Sequence, residues 1–392
     1  MKNTYIIDSI ESFDDFRNLK ESWEKLNKAN SNSTLFSSFQ IFEYYYQIIQ
    51  TSFPQTSIKI FVVKNKSQEI IAIFPFTYEK QTIVGRLQLN KLSIKDNILG
   101  WYSLLVNPNE NIHQILTEFI GYLNSIKNTW DLITIHHIQE QDVSYKDLRV
   151  LCKNHFKFTI NETKTLVVDC HADFDTLLQH MKGKKRREMK RKIKRLTEKG
   201  SMELISLRNS EDIQKQLPHF FQIEDNNWKG KQGTSILKSS YKTYFENVAF
   251  KLAEENRFRL YFLKINKAYA SGIYAIVDSG TLYFVKIGYD DSYAQYSPSL
   301  VLFYLVIKEL FAQKEIRAID FFGPIDDYQA SFGKTTRSSF NMTIYNNKII
   351  PKLYYIILLV GRKIQKISSI NSLFKRLKKH TIFNRFIDEI YE

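Results

Sequence analysis

The stretch 258–291 reads FRLYFLKINKAYASGIYAIVDSGTLYFVKIGYDD, and 299–325 follows with SLVLFYLVIKELFAQKEIRAIDFFGPI. Runs rich in β-branched and aromatic residues, broken by turn residues, make three successive strands. Helical apolar spacing then takes over, and a last strand closes the segment. Strands at 281–288 and 318–322 would be neighbours joined by a helix over 300–313. A strand, a helix crossover and a neighbouring strand in one sheet run parallel. The predicted unit is an antiparallel meander with one parallel crossover.

The same order is written earlier in the chain. SIKIFVVKNKSQEIIAIFPFTYEKQTI occupies 57–83, and NIHQILTEFIGYLNSIKNTWDLITIHHI occupies 111–138. A repeat this long exceeds a solenoid unit and indicates a duplicated domain. The expected fold class is α+β: two tandem lobes, each a mixed, mostly antiparallel sheet flanked by helices, plus a basic helical tail. The expected domains are 1–160, 161–350 and the tail 351–392.

The length of 392 residues supports two cores. Hydrophobic residues at 43% and charged residues at 25% exclude a disordered chain. Net charge is +15 and the pI near 9.4, so an anionic partner is one reading and simple solubility another. Cys152 and Cys170 make no disulfide framework, and the histidines show no metal-ligand spacing, so no metal is expected. Acids enter MKNTYIIDSIESFDDF too early for a signal peptide. The longest apolar run, 353–360, is too short to span a bilayer. The expected location is cytoplasmic, with peripheral attachment to the inner membrane face left open.

Elsewhere, 5–10 reads as a strand, and 12–30 as one helix. Ser38 is placed to cap a helix over 39–49. A helix over 143–154 leads to the strand Lys157–Asp169. In 182–195, ten of fourteen residues are Lys or Arg. Met189, Ile193 and Leu196 fall on one face, so this segment is a helix. Pro218 should kink or split a helix over 211–227. A loop over 326–339 precedes a strand at 340–345.

The second half resembles the GNAT-type domain of CelD/BcsL-like acetyltransferases, which are related to FemAB-like peptidyltransferases. The residues that carry the likeness stand in order. Lys185, Arg186, Arg187, Arg191 and Arg195 resemble the family's basic helix. EDNNWKGKQG at 224–233 resembles its acidic-Trp-Lys-Gly segment. YFVKIGYD at 283–290 resembles its central strand, and Tyr296-Ser297-Pro298-Ser299 its SPG turn. Asp320-Phe321-Phe322-Gly323 and Tyr328 resemble its Asp-Phe-Gly and Tyr-Lys elements. The likeness covers 5–345, most fully 165–345. Ser299 replaces the usual Gly, and Gln329 replaces the Lys after the Tyr.

The resemblance implies an acyl-CoA-dependent N- or O-acetyltransferase acting on a sugar, polysaccharide precursor or amine. Acetyl-CoA, or another acyl-CoA, would lie on the backbone of Val285 and Ile287. Its pyrophosphate would meet the helix start at Ser297, Ser299 and Leu300. Ser-Pro-Ser is equally an ordinary helix start. Glu224 is the candidate base, in the apolar setting of Phe220, Phe221, Ile223 and Trp228. Asp320 is a second candidate, and Tyr328 the candidate acid for the thiolate. Structural roles for both carboxylates stay open. Trp228 and Lys229 are candidates for the acceptor pocket, with core packing the alternative for Trp228.

The basic helix has three readings: a solvated face, a grip on CoA or an anionic acceptor, or RNA binding. The tail, pairing LYYIILLV with KRLKKH, suits an anionic membrane interface or packing against its own lobe. A FemAB-like transferase using aminoacyl-tRNA, or a non-catalytic relative bound to RNA or membrane, remains the alternative function.

Overall fold

The computed structural model describes residues 4–83, 87–94, 100, 103–171 and 173–365. Two compact units form, one from Met1–Glu162 with Ser339–Glu392 and the other from Thr163–Ser338. The part of the expected tail beyond residue 365 lies outside the described residues.

The first unit contains strands β1 (Ile6–Ile10), β2 (Thr56–Lys64), β3 (Ile70–Thr82), β4 (Gln88–Ile94), β5 (Leu105–Val106) and β6 (Leu132–Gln139). Strands β1 to β4 pair antiparallel in sequence order, and β5 adds to β3. β4 and β6 are parallel, from Lys91 opposite Leu132 to Ile94 opposite Ile135. The crossover between them is the helix Ile112–Ser125, which buries Ile115, Leu116, Phe119, Ile120 and Leu123. Phe119 stacks on Phe74 with ring centroids 3.9 Å apart. The helix expected over 12–30 is two, Phe13–Asn18 and Lys20–Ala29. The Leu19 N–H bonds the Phe16 carbonyl three residues back, a tightened turn that ends the first helix.

The second unit repeats this order. Its strands are β7 (Lys157–Asp169), β8 (Met202–Leu207), β9 (Phe258–Ile265), β10 (Ala268–Asp278), β11 (Thr281–Tyr289) and β12 (Ala318–Asp320). β8, β9, β10 and β11 pair antiparallel in turn. β11 and β12 are parallel, and β12 runs antiparallel to β7. The crossover is the helix Pro298–Gln313, whose Val301, Leu302, Val306 and Ile307 are fully buried. β7 starts in the first unit and ends in the second. β13 (Thr336–Tyr345) does the reverse, and its part in the first unit lies antiparallel to β6. Each unit is thus a mixed, mostly antiparallel sheet with one parallel crossover, the GNAT-like lobe.

The helix Ser210–Asp225 runs unbroken through Pro218, contrary to the expected split. Pro218 and Gln214, whose carbonyl loses its donor, both face solvent. A carbonyl on the solvent side of a helix can be satisfied without a protein donor, which makes the proline tolerable there. The other face buries Ile213, Leu217, Phe220, Phe221 and Glu224. It lands on a flat spot where Gly272 of β10 stands opposite Gly288 of β11. A Cβ at Gly288 would lie 2.9 Å from the Glu224 Cα, and one at Gly272 2.9 Å from the Phe220 ring. Two glycines therefore set how close Glu224 comes to the central strand.

The helix Ile349–Gln365 closes the described chain. Tyr354 and Leu358 pack with Tyr345, Leu89 and Leu132 of the first unit. Among the described residues no helix is long and apolar enough to cross a membrane.

Candidate functional site

β11 has two different edges. Its β10 edge stays paired to Tyr289, which lies opposite Ser271. Its β12 edge is paired only from Thr281 to Tyr283, with Asp320 opposite Tyr283 as the last pair. From Phe284 onward no described strand lies along that edge. The fork coincides with a bulge: Tyr274 faces Lys286 and Ala275 faces Phe284, so Val285 is the extra residue. A bulge at a fork turns backbone groups away from the ladder and towards the gap.

The helix start beside this gap is built without glycine. Ser297 adopts a left-handed backbone, φ +53°, and Pro298 occupies the first helical turn. A left-handed conformation at a non-glycine residue costs about 1 kcal/mol. Ser299 has no positive φ, so its backbone does not require a glycine there. No side chain caps this helix, and its first turn contains no acid. The first unit differs at the matching point, where Asn111 caps the helix Ile112–Ser125 through the Gln114 N–H.

Three side-chain clusters in the second unit hold the remaining candidates. Glu224, only 2% exposed, receives the Lys229 ammonium at 2.8 Å on Oε1 and the Ile236 N–H at 2.7 Å on Oε2. Lys229 Nζ also donates to the Ile287 carbonyl at 3.1 Å. Of the apolar residues expected around Glu224, Phe220, Phe221 and Ile223 are buried on its own helix, and the carboxylate itself meets a cation. Burial, with help from Lys229, pushes the Lys286 ammonium below its usual range. The turn that brings Lys229 back is tight, since a Cβ at Gly230 would overlap the Asp225 carbonyl oxygen. Asn227 caps it through the Lys229 N–H. Trp228 is half-exposed rather than part of the core.

Asp320 is fully buried at the end of β12. It accepts from Thr165 Oγ1 at 3.0 Å, the Phe322 N–H at 2.8 Å and Arg337 at 3.1 Å. Burial pushes its carboxyl up to about 6 against the pull of Arg337 and these hydrogen bonds. Tyr283 lies beside it, 3.5 Å from Arg337, and burial raises its phenol.

Tyr328 belongs to the third cluster. Lys192 Nζ donates to Tyr328 Oη at 3.0 Å and to Ser297 Oγ at 2.8 Å. Tyr328 Oη in turn donates to Glu188 at 3.2 Å. Burial opposes ionisation of Glu188, but Lys192 and Tyr328 hold its carboxyl below the usual range. Lys185 and Lys192 lie 4.5 and 4.3 Å from the centre of the Tyr328 ring. Ser299 Oγ is 3.2 Å from Ser271 Oγ, which donates to the Gly288 carbonyl. Leu300 is core, and its N–H returns to the Ser297 carbonyl.

Sequence reasoning misses Lys192 and Arg337. Lys192 carries a signal: it sits three residues after Met189 and four before Leu196, on the buried face of its helix. Arg337 carries none, because its segment reads as a loop. A cavity of about 590 Å³ in the second unit has no counterpart in the sequence reading either. Its lining includes Val168, Leu177, Phe311 and Phe332, with Lys182 and Lys185 among its polar groups; Glu224, Asp320 and Tyr328 do not line it, although Lys185 stands over the Tyr328 ring. The two cysteines are buried, and burial pushes both thiols up to about 12, which excludes them as ready nucleophiles.

Residues 183–330 match the family model described as the acetyltransferase (GNAT) domain. Among solved structures, FemX is similar at 13% identity and TM-score 0.50, over 89% of this chain and 99% of its own. A tandem GNAT protein from the clavulanic acid biosynthesis pathway is 10% identical at TM-score 0.47, over 86% and 98%. The C-terminal domain of a putative lysylphosphatidylglycerol synthetase from Agrobacterium fabrum is 9% identical at TM-score 0.48, over 87% and 95%. No curated protein matches. The chain therefore carries a GNAT-type acyltransferase fold.

Proposed function

We propose that the protein is an acyl-CoA-dependent acyltransferase of the CelD/BcsL-like kind. It would transfer an acetyl or longer acyl group to an amine or hydroxyl of a sugar or polysaccharide precursor. One observation carries this reading: β11 parts from β12 just where Val285 bulges, beside an uncapped helix start. The open edge offers backbone groups to the pantetheine amides as an added strand would. The helix start offers the Ser299 N–H and a partial positive charge to a pyrophosphate, with Ser297 and Lys192 alongside; Pro298 has no N–H, and those of Leu300 and Val301 return to the Ser297 carbonyl. The residues present fit the group.

Acyl-CoA, when bound, supplies an acyl group already activated as a thioester. Val285 and Ile287 orient it by their backbone, and Ile287 is itself fixed by Lys229. Glu224 takes the proton of the incoming amine or hydroxyl, with Lys229 holding the carboxylate in place. Tyr328 holds a proton at Oη, between Lys192 and Glu188, for the departing thiolate. Asp320 and Arg337 brace the fork of the two strands. Trp228, standing out from its turn, contacts the acceptor. The second lobe is assigned rather than the first, where Asn111 already occupies the helix start.

Hydrogen exchange with and without CoA tests the assignment. Protection of amides in 285–300 is expected. Protection confined to 103–115 would move the site to the first lobe, and no protection anywhere would end the acyl-CoA reading.

A second reading has one observation behind it. The helix Gly183–Thr197 exposes Lys184, Arg186, Arg187, Lys190, Arg191, Lys194 and Arg195. Such a face suits an aminoacyl-tRNA donor, with affinity falling steeply as salt rises. Titration with tRNA across a salt series separates the two donors.

A further inference from the structure

The helix Ile349–Gln365 is apolar on two opposite sides. One side, through Tyr354 and Leu358, is buried in the first unit. The other exposes Ile349 at 85%, Leu353 at 54%, Ile356 at 53% and Val360 at 48%, with Ile350 and Ile357 beside them. These positions recur at three- and four-residue steps, so they form one stripe. The helix contains no acid, and the charged residues standing out from it are Lys352 and Lys363.

We infer that this face docks on an anionic lipid surface, with the helix lying in the interface plane. Three features select lipid. Scattered exposed aliphatic residues are ordinary, but a continuous stripe on one helix marks an interaction site. The exposed set is Ile, Leu and Val only, whereas protein interfaces draw their energy from Trp, Tyr and Arg anchors. Among the described residues the charged side chains standing out from the helix are Lys352 and Lys363, along one edge of the stripe, the charge that anionic headgroups attract. Seventeen residues rise about 25 Å, and the side facing the first unit is already taken, so the helix lies on a bilayer rather than across it. The inference is independent of the transfer chemistry, since binding is read without substrate.

The full chain is mixed with vesicles of phosphatidylcholine alone, and of phosphatidylcholine with phosphatidylglycerol, and sedimented. Binding to the anionic vesicles is expected, with little to the neutral ones. Leu353→Ser with Ile356→Ser should weaken it about tenfold or more, and Lys352→Glu with Lys363→Glu about as much, on anionic vesicles only. Both pairs are exposed, so circular dichroism should show unchanged folding. Three results would overturn the inference. The first is a wild type that sediments with neither vesicle. The second is a serine pair that binds as well as wild type, which would place binding in residues beyond 365. The third is a wild-type dimer, seen by light scattering, that the serine pair converts to monomer; the stripe would then be a contact between copies.

Discussion

Glu224 and Asp320 are both buried carboxylates, yet their surroundings set them different tasks. Glu224 meets a lysine and an amide, and Glu224→Gln leaves the Lys229 ammonium without its counter-ion. The expected cost is about 3 kcal/mol of stability. Turnover should fall by about a hundredfold or more with CoA affinity unchanged if Glu224 is the proposed base and not a cofactor contact. Calorimetric titration with CoA alongside steady-state rates checks both. Asp320 has its carboxyl raised from the ordinary value of 3.8 to about 6. The folded state then binds the proton more tightly than the unfolded one. As far as this group is concerned, stability is greatest below about pH 4, and falls by about 3 kcal/mol as pH rises through about 6. Asp320→Asn should flatten that slope in urea unfolding measured across the range. Both carboxylates are visible in the sequence as candidates. Their partners are not, because Ile236 and Arg337 are ordinary residues until the fold brings them in.

At the scale of elements, close approach explains more than composition does. The flat spot formed by Gly272 and Gly288 lets the helix Ser210–Asp225 sit directly on β10 and β11. Gly288→Ala pushes against the Glu224 backbone and should cost about 1 to 3 kcal/mol. Thermal unfolding reads the loss, and activity should fall with it as Glu224 is displaced. Ser297→Gly has two opposed effects: it relieves the left-handed backbone by about 1 kcal/mol, and it takes an acceptor from the buried Lys192 ammonium at a similar or larger cost, so stability should not rise. It also removes the hydroxyl that Lys192 contacts, so CoA should bind more weakly. The strands, the crossover helices and the basic helix are legible from periodicity, because apolar spacing survives in local sequence. The fork between β11 and β12 is not, since a bulge at Val285 leaves no mark in a run of strand-forming residues.

For the whole molecule, the duplicated order of strands and crossover is legible in the amino-acid sequence, because each copy repeats the same alternation of periods. The membership of 339–345 in the first unit is not. FNMTIY reads as a strand, but nothing local says that its partner is β6, some two hundred residues earlier. The net charge of +15 is also partly resolved: seven cations of the basic helix are exposed, while Lys192 is buried in a cluster. Replacing Lys184, Arg187, Lys190 and Lys194 by Gln should leave stability within about 0.5 kcal/mol. The same variant should show a shallower salt dependence if an anionic partner binds there. Urea unfolding and a binding titration at two salt concentrations check the pair of outcomes.

The second unit is an insertion, since the chain leaves the first unit at Glu162 and returns at Ser339. Its entering and leaving segments are hydrogen-bonded to each other, the Val167 N–H meeting the Thr335 carbonyl at 2.9 Å. During synthesis the ribosome must deliver all of the insertion before β6 receives the strand that completes its edge. The inserted unit can therefore finish folding while the first still lacks its closing strand, which reverses the usual order of maturation from the amino terminus.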